Sequence, residues 1–145
     1  MTTKPETETE QIIVFNPSHD KDFYSIYYQL FPYIKTPEQA NGIAKSNAVW
    51  CKYTINDIMY GFYTIYIVDK NTIVLYNFAI CAEYQNKGYG RNMLKYIVKK
   101  YAHISIILFV EKINKTAIQL YKSQGFKNTK KYQWPKNQIC MALMK

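Results

Sequence analysis

Gln85-Asn86-Lys87-Gly88-Tyr89-Gly90-Arg91 separates an apolar run, residues 73–80, from a helical pattern that starts near Arg91. The order is strand, tight glycine-bearing loop, helix. Such a loop turns several backbone N–H groups toward one point, at the positive end of a helix dipole. The product is an anion site suited to a diphosphate. Glycine matters because a Cβ obstructs close approach of backbone to phosphate. Spacing sorts among the known phosphate loops. A P-loop ends in Gly-Lys-Ser/Thr, which is not present here. A dinucleotide fingerprint puts a third glycine where this chain has Met93. The pattern that fits is Gln/Arg-x-x-Gly-x-Gly, carried by Gln85, Gly88 and Gly90.

A second motif lies downstream. Residues 110–126 read V-E-K-I-N-K-T-A-I-Q-L-Y-K-S-Q-G-F, with Asn114, Ala117, Leu120, Tyr121, Gly125 and Phe126 at fixed offsets. The approach to the loop is Phe78-Ala79-Ile80, with Glu83-Tyr84 before Gln85. The two motifs in this order resemble the GNAT superfamily of acetyl-CoA-dependent N-acetyltransferases. The resemblance covers residues 58–145; the first fifty residues match only in their element pattern.

A chain of 145 residues with 48% hydrophobic content is expected to form one domain with a real core. Residues 1–10 are polar and aperiodic, so a disordered tail is expected there and a single domain over 11–145. They carry no apolar core of a secretory signal. No stretch reaches the ~18 apolar residues of a membrane span, so no membrane partner is expected. Cys51, Cys81 and Cys140 are odd in number and scattered, which suits reduced thiols in the cytoplasm. His, Cys, Asp and Glu show no metal-ligand spacing, so no metal is expected. The net charge of +9 suits a polyanionic cofactor or nucleic acid. The lysines read as dispersed solubility charge, so nucleic acid is not the expected partner.

Periodicity gives a strand at 11–15, a helix starting at residues 16–22 and stopped by Pro32, and a second helix from a capping box at Thr36 through about Ser46. Strands at 48–54, 58–68 and 72–80 are joined by tight turns into an antiparallel meander. A helix at 91–101, a strand at 104–110, a helix at 114–124 and strands at 126–134 and 138–144 complete the chain. The crossover through helix 91–101 makes strands 72–80 and 104–110 parallel. The fold class is therefore α/β of the α+β kind, a mixed and mainly antiparallel sheet flanked by helices. The resemblance implies the GNAT acyl-CoA N-acyltransferase fold, with the two central parallel strands splayed so that pantetheine inserts between them.

The resemblance also implies the chemistry: acetyl transfer from acetyl-CoA to a primary amine of a small molecule or protein, by direct attack in a ternary complex. Cofactor holding falls to Phe78, Ala79 and Ile80 on the strand, to Gln85, Asn86, Lys87, Gly88, Tyr89, Gly90 and Arg91 on the loop, and to Asn114 and Tyr121. Lys87 and Arg91 serve equally well as solvated surface charge. The Ile80 amide is the implied donor to the acetyl oxygen, Tyr121 the implied acid for the departing thiolate, and Asn114 the implied third catalytic residue, in contact with pantetheine or a base-bound water. By residue type alone, Tyr121 also suits a core position, and Asn114 a helix N-cap. The general base stays open among Glu83, Glu111 and a water placed by Tyr76 or Asn77. Cys81 reads as a small buried apolar residue rather than a nucleophile.

The acceptor is expected near the first two helices and the 48–68 hairpin. Tyr24, Tyr27, Tyr28, Phe31, Tyr33, Trp50 and Tyr60 there divide between core and an aromatic pocket for an alkylammonium. Acceptor identity is not encoded in these motifs, and a monomer and a homodimer are both compatible with them. Two other readings compete: a non-catalytic acyl-CoA-binding module on the same fold, and a basic nucleic-acid-binding protein.

Overall fold

The computed structural model describes residues 9–20, 23–30, 48–131 and 137–145. The expected tail at 1–8, the helix at 36–46, and the rings of Tyr24, Tyr28, Phe31 and Tyr33 lie outside the described residues.

Seven strands form one sheet in the order β1-β2-β3-β4-β5-β7-β6. β1 is Glu10–Val14, β2 Val49–Ile55, β3 Ile58–Asp69, β4 Thr72–Ile80, β5 Ser105–Glu111, β6 Lys127–Thr129 and β7 Gln138–Leu143. Three helices are described: α1 Phe23–Leu30, α2 Tyr89–Lys100 and α3 Lys115–Ser123. The β2–β3 hairpin turns on Asn56 and Asp57, with φ of 51° and 67°. Two left-handed residues give a turn whose twist matches that of the flanking strands. Among the described pairings, only β4 with β5 is parallel. The strand expected over 126–134 is shorter than its sequence pattern, since β6 ends at Thr129. There the Thr129 hydroxyl accepts from the Lys131 N–H at 3.1 Å, which folds the chain back out of the ladder.

Each face of the sheet has its own core. On one, α2 and α3 cover Leu75, Leu108, Val110 and Met141, with Met93, Leu94 and Ile97 as the buried stripe of α2. On the other, Phe23 and Tyr27 of α1 pack on Trp50 and Phe62. Ring centroids in that cluster are 5.1 to 6.0 Å apart for Phe23–Phe62, Phe23–Trp50, Phe23–Tyr27 and Tyr27–Trp50. Tyr27 belongs to the core, as the helical spacing of Phe23, Ile26, Tyr27 and Leu30 implies, and Trp50 joins it there. Helix α1 starts later than its sequence signals: Pro17–His19 form a 3-10 turn, and the Asp20 carboxylate caps the Phe23 N–H at 3.2 Å.

Candidate active site

The parallel pairing of β4 with β5 runs from Thr72↔Ser105 to Leu75↔Leu108 and stops. Both strands continue, β4 to Ile80 and β5 to Glu111, each still paired on its outer side. Between them opens a cleft of about 570 Å³, lined by Tyr76, Asn77 and Phe78 on one wall and by Phe109, Val110 and Glu111 on the other. Asn114, Ala117, Leu120 and Tyr121 of the α3 segment close its floor.

A bulge in β4 starts the divergence. Thr64 pairs with Tyr76 and Phe62 with Ala79, so one residue of β3 faces two of β4, Asn77 and Phe78. Asn77 sits in the left-handed region with φ 51°. Its side-chain amide donates to the buried Thr64 hydroxyl at 3.1 Å, and its oxygen accepts from the Tyr27 hydroxyl at 3.4 Å. Asparagine tolerates this backbone better than most residues because its short amide finds local partners. Asn77 is thus held by two hydrogen bonds as the hinge of the divergence, and Tyr76 turns to stack near Phe109 at 6.4 Å.

The ladder beyond the bulge fixes which amides face the gap. The Cys81 N–H donates to the Tyr60 carbonyl at 2.8 Å. Alternation along an antiparallel pair then makes Gly61 and Ile80 a non-hydrogen-bonded pair, so the Ile80 N–H and C=O point away from β3 toward the cleft. The Ile80 carbonyl accepts from the Gln85 side-chain amide at 3.0 Å. The Ile80 N–H faces the opening. Ala79, one residue earlier, is tied to β3.

A second cavity of about 500 Å³ continues past Ile80. Phe78, Ala79, Ile80, Gln85, Asn86 and Gly90 line it, and Asn114, Ala117 and Leu120 are shared with the cleft. The cleft and the loop cavity therefore adjoin. The loop bends through Asn86 at φ 63° and Gly88 at φ 89°, the N-cap of α2. The first amides of α2 have no partner within their own helix, which leaves them to serve a ligand. A Cβ on Gly88 would meet nothing within 4 Å, so its need for glycine inside the protein is conformational rather than steric. A Cβ on Gly90 would meet Ile80 Cγ1 and Leu120 Cδ2 at 3.6 Å, an ordinary van der Waals contact. Lys87 Nζ donates back to the Glu83 carbonyl at 3.4 Å, and Arg91 is exposed.

The loop is anchored by three rings, of which Tyr60 lies outside the motifs. Tyr84 stacks on Tyr60 with centroids 3.8 Å apart and planes 11° apart, and Tyr89 stands edge-on to Tyr60 at 4.8 Å. Tyr60 thus braces the loop from β3. Gly61 beside it carries no motif signal in the sequence. A Cβ there would lie 2.7 Å from the Ala79 oxygen and 2.7 Å from Ile80 Cδ1.

Tyr121 is 7% exposed, lines the cleft, and packs edge-on to Phe78 at 5.8 Å and against Phe126 at 5.9 Å. Helix α3 is closed just after it by Gly125 at φ 95°, with the Phe126 N–H returning to the Tyr121 carbonyl and the Gly125 N–H to the Lys122 carbonyl. That closure fixes the Tyr121 backbone. Burial pushes its phenol well above the ordinary tyrosine value, so it holds its proton throughout the neutral range. Asn114 performs the expected cap: its side-chain oxygen accepts from the Ala117 N–H at 3.2 Å. It does so while lining both cavities.

Of the carboxylates considered as base, Glu111 lines the cleft, whereas Glu83 sits in the 3-10 turn Ala82–Tyr84 and lines neither cavity. Cys81 is buried, and its thiol is pushed up to about 11, chiefly by burial and then by Glu83. Its Sγ donates to the Met59 carbonyl at 3.6 Å. Among the described residues no group of His, Cys, Asp and Glu is arranged to hold a metal ion, and no helix is long and apolar enough to cross a membrane.

The model of the acetyltransferase (GNAT) family matches residues 14–126. This chain belongs to the GNAT acetyltransferase family. The fold agrees across many solved structures. A GNAT acetyltransferase from Elizabethkingia anophelis with acetyl-CoA bound is 18% identical, with 93% of this chain and 97% of that one covered and a TM-score of 0.72. The ribosomal-protein-S18-alanine N-acetyltransferase of Escherichia coli is 21% identical, with 93% of each chain covered and a TM-score of 0.68. The PaiA N-acetyltransferase of Thermoplasma acidophilum, in complex with coenzyme A, is 15% identical, covers 94% of this chain and 99% of its own, and has a TM-score of 0.66. At such identities the likeness concerns the fold. A search of curated proteins finds no match to the sequence.

Proposed function

We propose that this GNAT protein transfers an acetyl group from acetyl-CoA to a primary amine by direct attack in a ternary complex. The observation that carries the reading is the end of β4–β5 pairing at Leu75↔Leu108, with two adjoining cavities that reach from Glu111 and Tyr121 to Gln85, Asn86 and Gly90 of the loop. An extended pantetheine arm fits such a gap as an added strand does, because the unpaired edges offer backbone donors and acceptors. The diphosphate is assigned to the amides from Asn86 to Arg91. Bound there, acetyl-CoA supplies an activated thioester carbonyl.

The chain's own residues supply the rest. The Ile80 N–H is the donor placed to polarise a carbonyl oxygen in the gap. Glu111, at the mouth, accepts a proton from an incoming ammonium directly or through water. As the C–N bond forms and the C–S bond breaks, the proton held on the Tyr121 hydroxyl goes to the departing thiolate. The raised affinity means only that the hydroxyl is protonated at neutral pH before the thiolate develops; after transfer it regains a proton from solvent. Asn114 caps α3 and sets the floor on which Tyr121 stands. A merely binding module would not need a protonated hydroxyl buried at this point.

Calorimetric titration with acetyl-CoA, CoA and an oligonucleotide, followed by thiol-release assays on an amine panel, tests the reading. Saturable one-to-one binding of the two coenzymes and thiol release that depends on amine are expected. Oligonucleotide binding without coenzyme binding would overturn it.

A further inference from the structure

The positive charge is not spread evenly. After Glu111 the chain contains eight lysines and no aspartate or glutamate up to Lys145, close to the whole net charge of +9. The structure gathers part of that charge beside the cleft. A groove of about 340 Å³ is lined by Lys112 at the end of β5, by Asn128, Thr129 and Lys130 at β6, and by Gln138 to Cys140 at the start of β7. Its described wall holds two ammonium groups and several neutral donors, and no carboxylate. The Lys112 N–H donates to the Asn137 carbonyl at 2.9 Å, which ties the cationic end of β5 to β7.

The groove stands apart from the loop to which the cofactor's phosphates are assigned. It shares no residue with the cavity at the 85–91 loop. It does share Gln138 with the cleft, and Lys112 directly follows Glu111, which lines that cleft. A molecule spanning the two would meet a carboxylate at the cleft end and ammonium groups at the groove end. That polarity matches an acceptor with an amine at one end and an anion at the other.

We propose, on the basis of the N-acetyltransferase reading above, that the acceptor is a small amine that also carries a carboxylate or phosphate, with the anionic group seated between Lys112 and Lys130. The groove selects the acceptor and takes no part in bond making. Cationic side chains favour an anionic ligand through charge-assisted hydrogen bonds, which are stronger than neutral ones. At an open site part of that attraction is screened by salt.

Matched pairs of acceptors test it: O-phosphoethanolamine against ethanolamine, and β-alanine against β-alanine amide. With acetyl-CoA and low salt, kcat/KM should favour the anionic member by about tenfold or more, mainly through KM. Raising the salt should shrink that ratio. In a Lys112→Gln, Lys130→Gln double variant the ratio should fall to near parity, and in Lys112→Glu it should invert. Turnover of the neutral members alone, turnover of none of the pairs, or a ratio that the variants do not move overturns the proposal. CoA titration into the same proteins separates the two readings. Loss of coenzyme binding by the wild type counts against the N-acetyltransferase assignment, whereas normal binding with no anionic preference counts only against the groove.

Discussion

The side-chain amide of Gln85 donates to the carbonyl of Ile80 at 3.0 Å, which joins the first residue of the glycine loop to the last residue of β4. One hydrogen bond thereby couples the two halves of the candidate site, glycine loop and strand edge. A neutral hydrogen bond of this kind is worth about 0.5–1.5 kcal/mol net. Gln85→Ala should weaken CoA binding by roughly two- to tenfold in calorimetry, with little change in Tm, because Gln85 is exposed. A large loss of Tm with unchanged affinity would place the bond in global stability instead.

Gly61 controls the same strand from the other side. An alanine there would put its Cβ 2.7 Å from the Ala79 oxygen and push β3 off β4. Overpacking of this sort costs about 1–3 kcal/mol. Thermal unfolding of Gly61→Ala should show Tm lowered by a few degrees per kcal/mol, and CoA affinity should fall as well, since Ala79 and Ile80 move with the strand. An unchanged Tm would mean that the pair has slack which the contacts do not show.

Asn114 should behave chiefly as a cap. Asn114→Ala removes the acceptor for the Ala117 N–H and should cost about 1 kcal/mol. Asn114→Asp or Asn114→Ser should recover most of the stability. If either capping replacement restores Tm but not turnover, Asn114 also contacts the substrate.

The pH dependence follows from burial. Cys81 and Tyr121 both hold their protons more tightly when folded than their ordinary values imply, Cys81 up to about 11. A raised folded value means that stability is complete below the unfolded value and is lost as pH rises through the folded one. The Cys81 contribution should thus be intact below pH ~9 and decline from there toward pH 11, with Tyr121 adding to the loss above pH ~10. Tm measured across pH 7 to 11 should fall on the alkaline side, less steeply for Cys81→Ala. A thiol-reactive probe at neutral pH should label Cys81 slowly in the native protein.

Much of this site was legible in the sequence because its signals are local. Strand 72–80 was placed to the residue, and the crossover through α2 and the parallel β4–β5 pair followed from apolar runs around the glycine loop. Leu-Tyr-x-x-x-Gly-Phe located Tyr121, since Gly125 must close α3 just after it. Other features depend on distant partners. Asn77 looks like any residue in a strand pattern; its left-handed turn depends on Thr64 and Tyr27. Gly61 matters only because Ala79 lies opposite, and Tyr60 joins Tyr84 and Tyr89 only once β3 and the loop meet. Trp50 turns inward with Phe23, Tyr27 and Phe62 for the same reason, a contact that exists only once α1 meets the sheet. The charge asymmetry after Glu111 was present in the sequence, but a net charge alone conceals it.

The most direct test is Tyr121→Phe, assayed with acetyl-CoA and a good acceptor under conditions where the chemical step limits the rate. The substitution keeps the packing against Phe78 and Phe126 and removes only the hydroxyl. A positioned acid contributes typically ~10²–10⁴-fold, so kcat should fall by about that factor while CoA affinity and Tm hold. An acyl donor with a more acidic thiol should narrow the deficit. An unchanged kcat would contradict the account, making Tyr121 a core residue and sending the proton by another route.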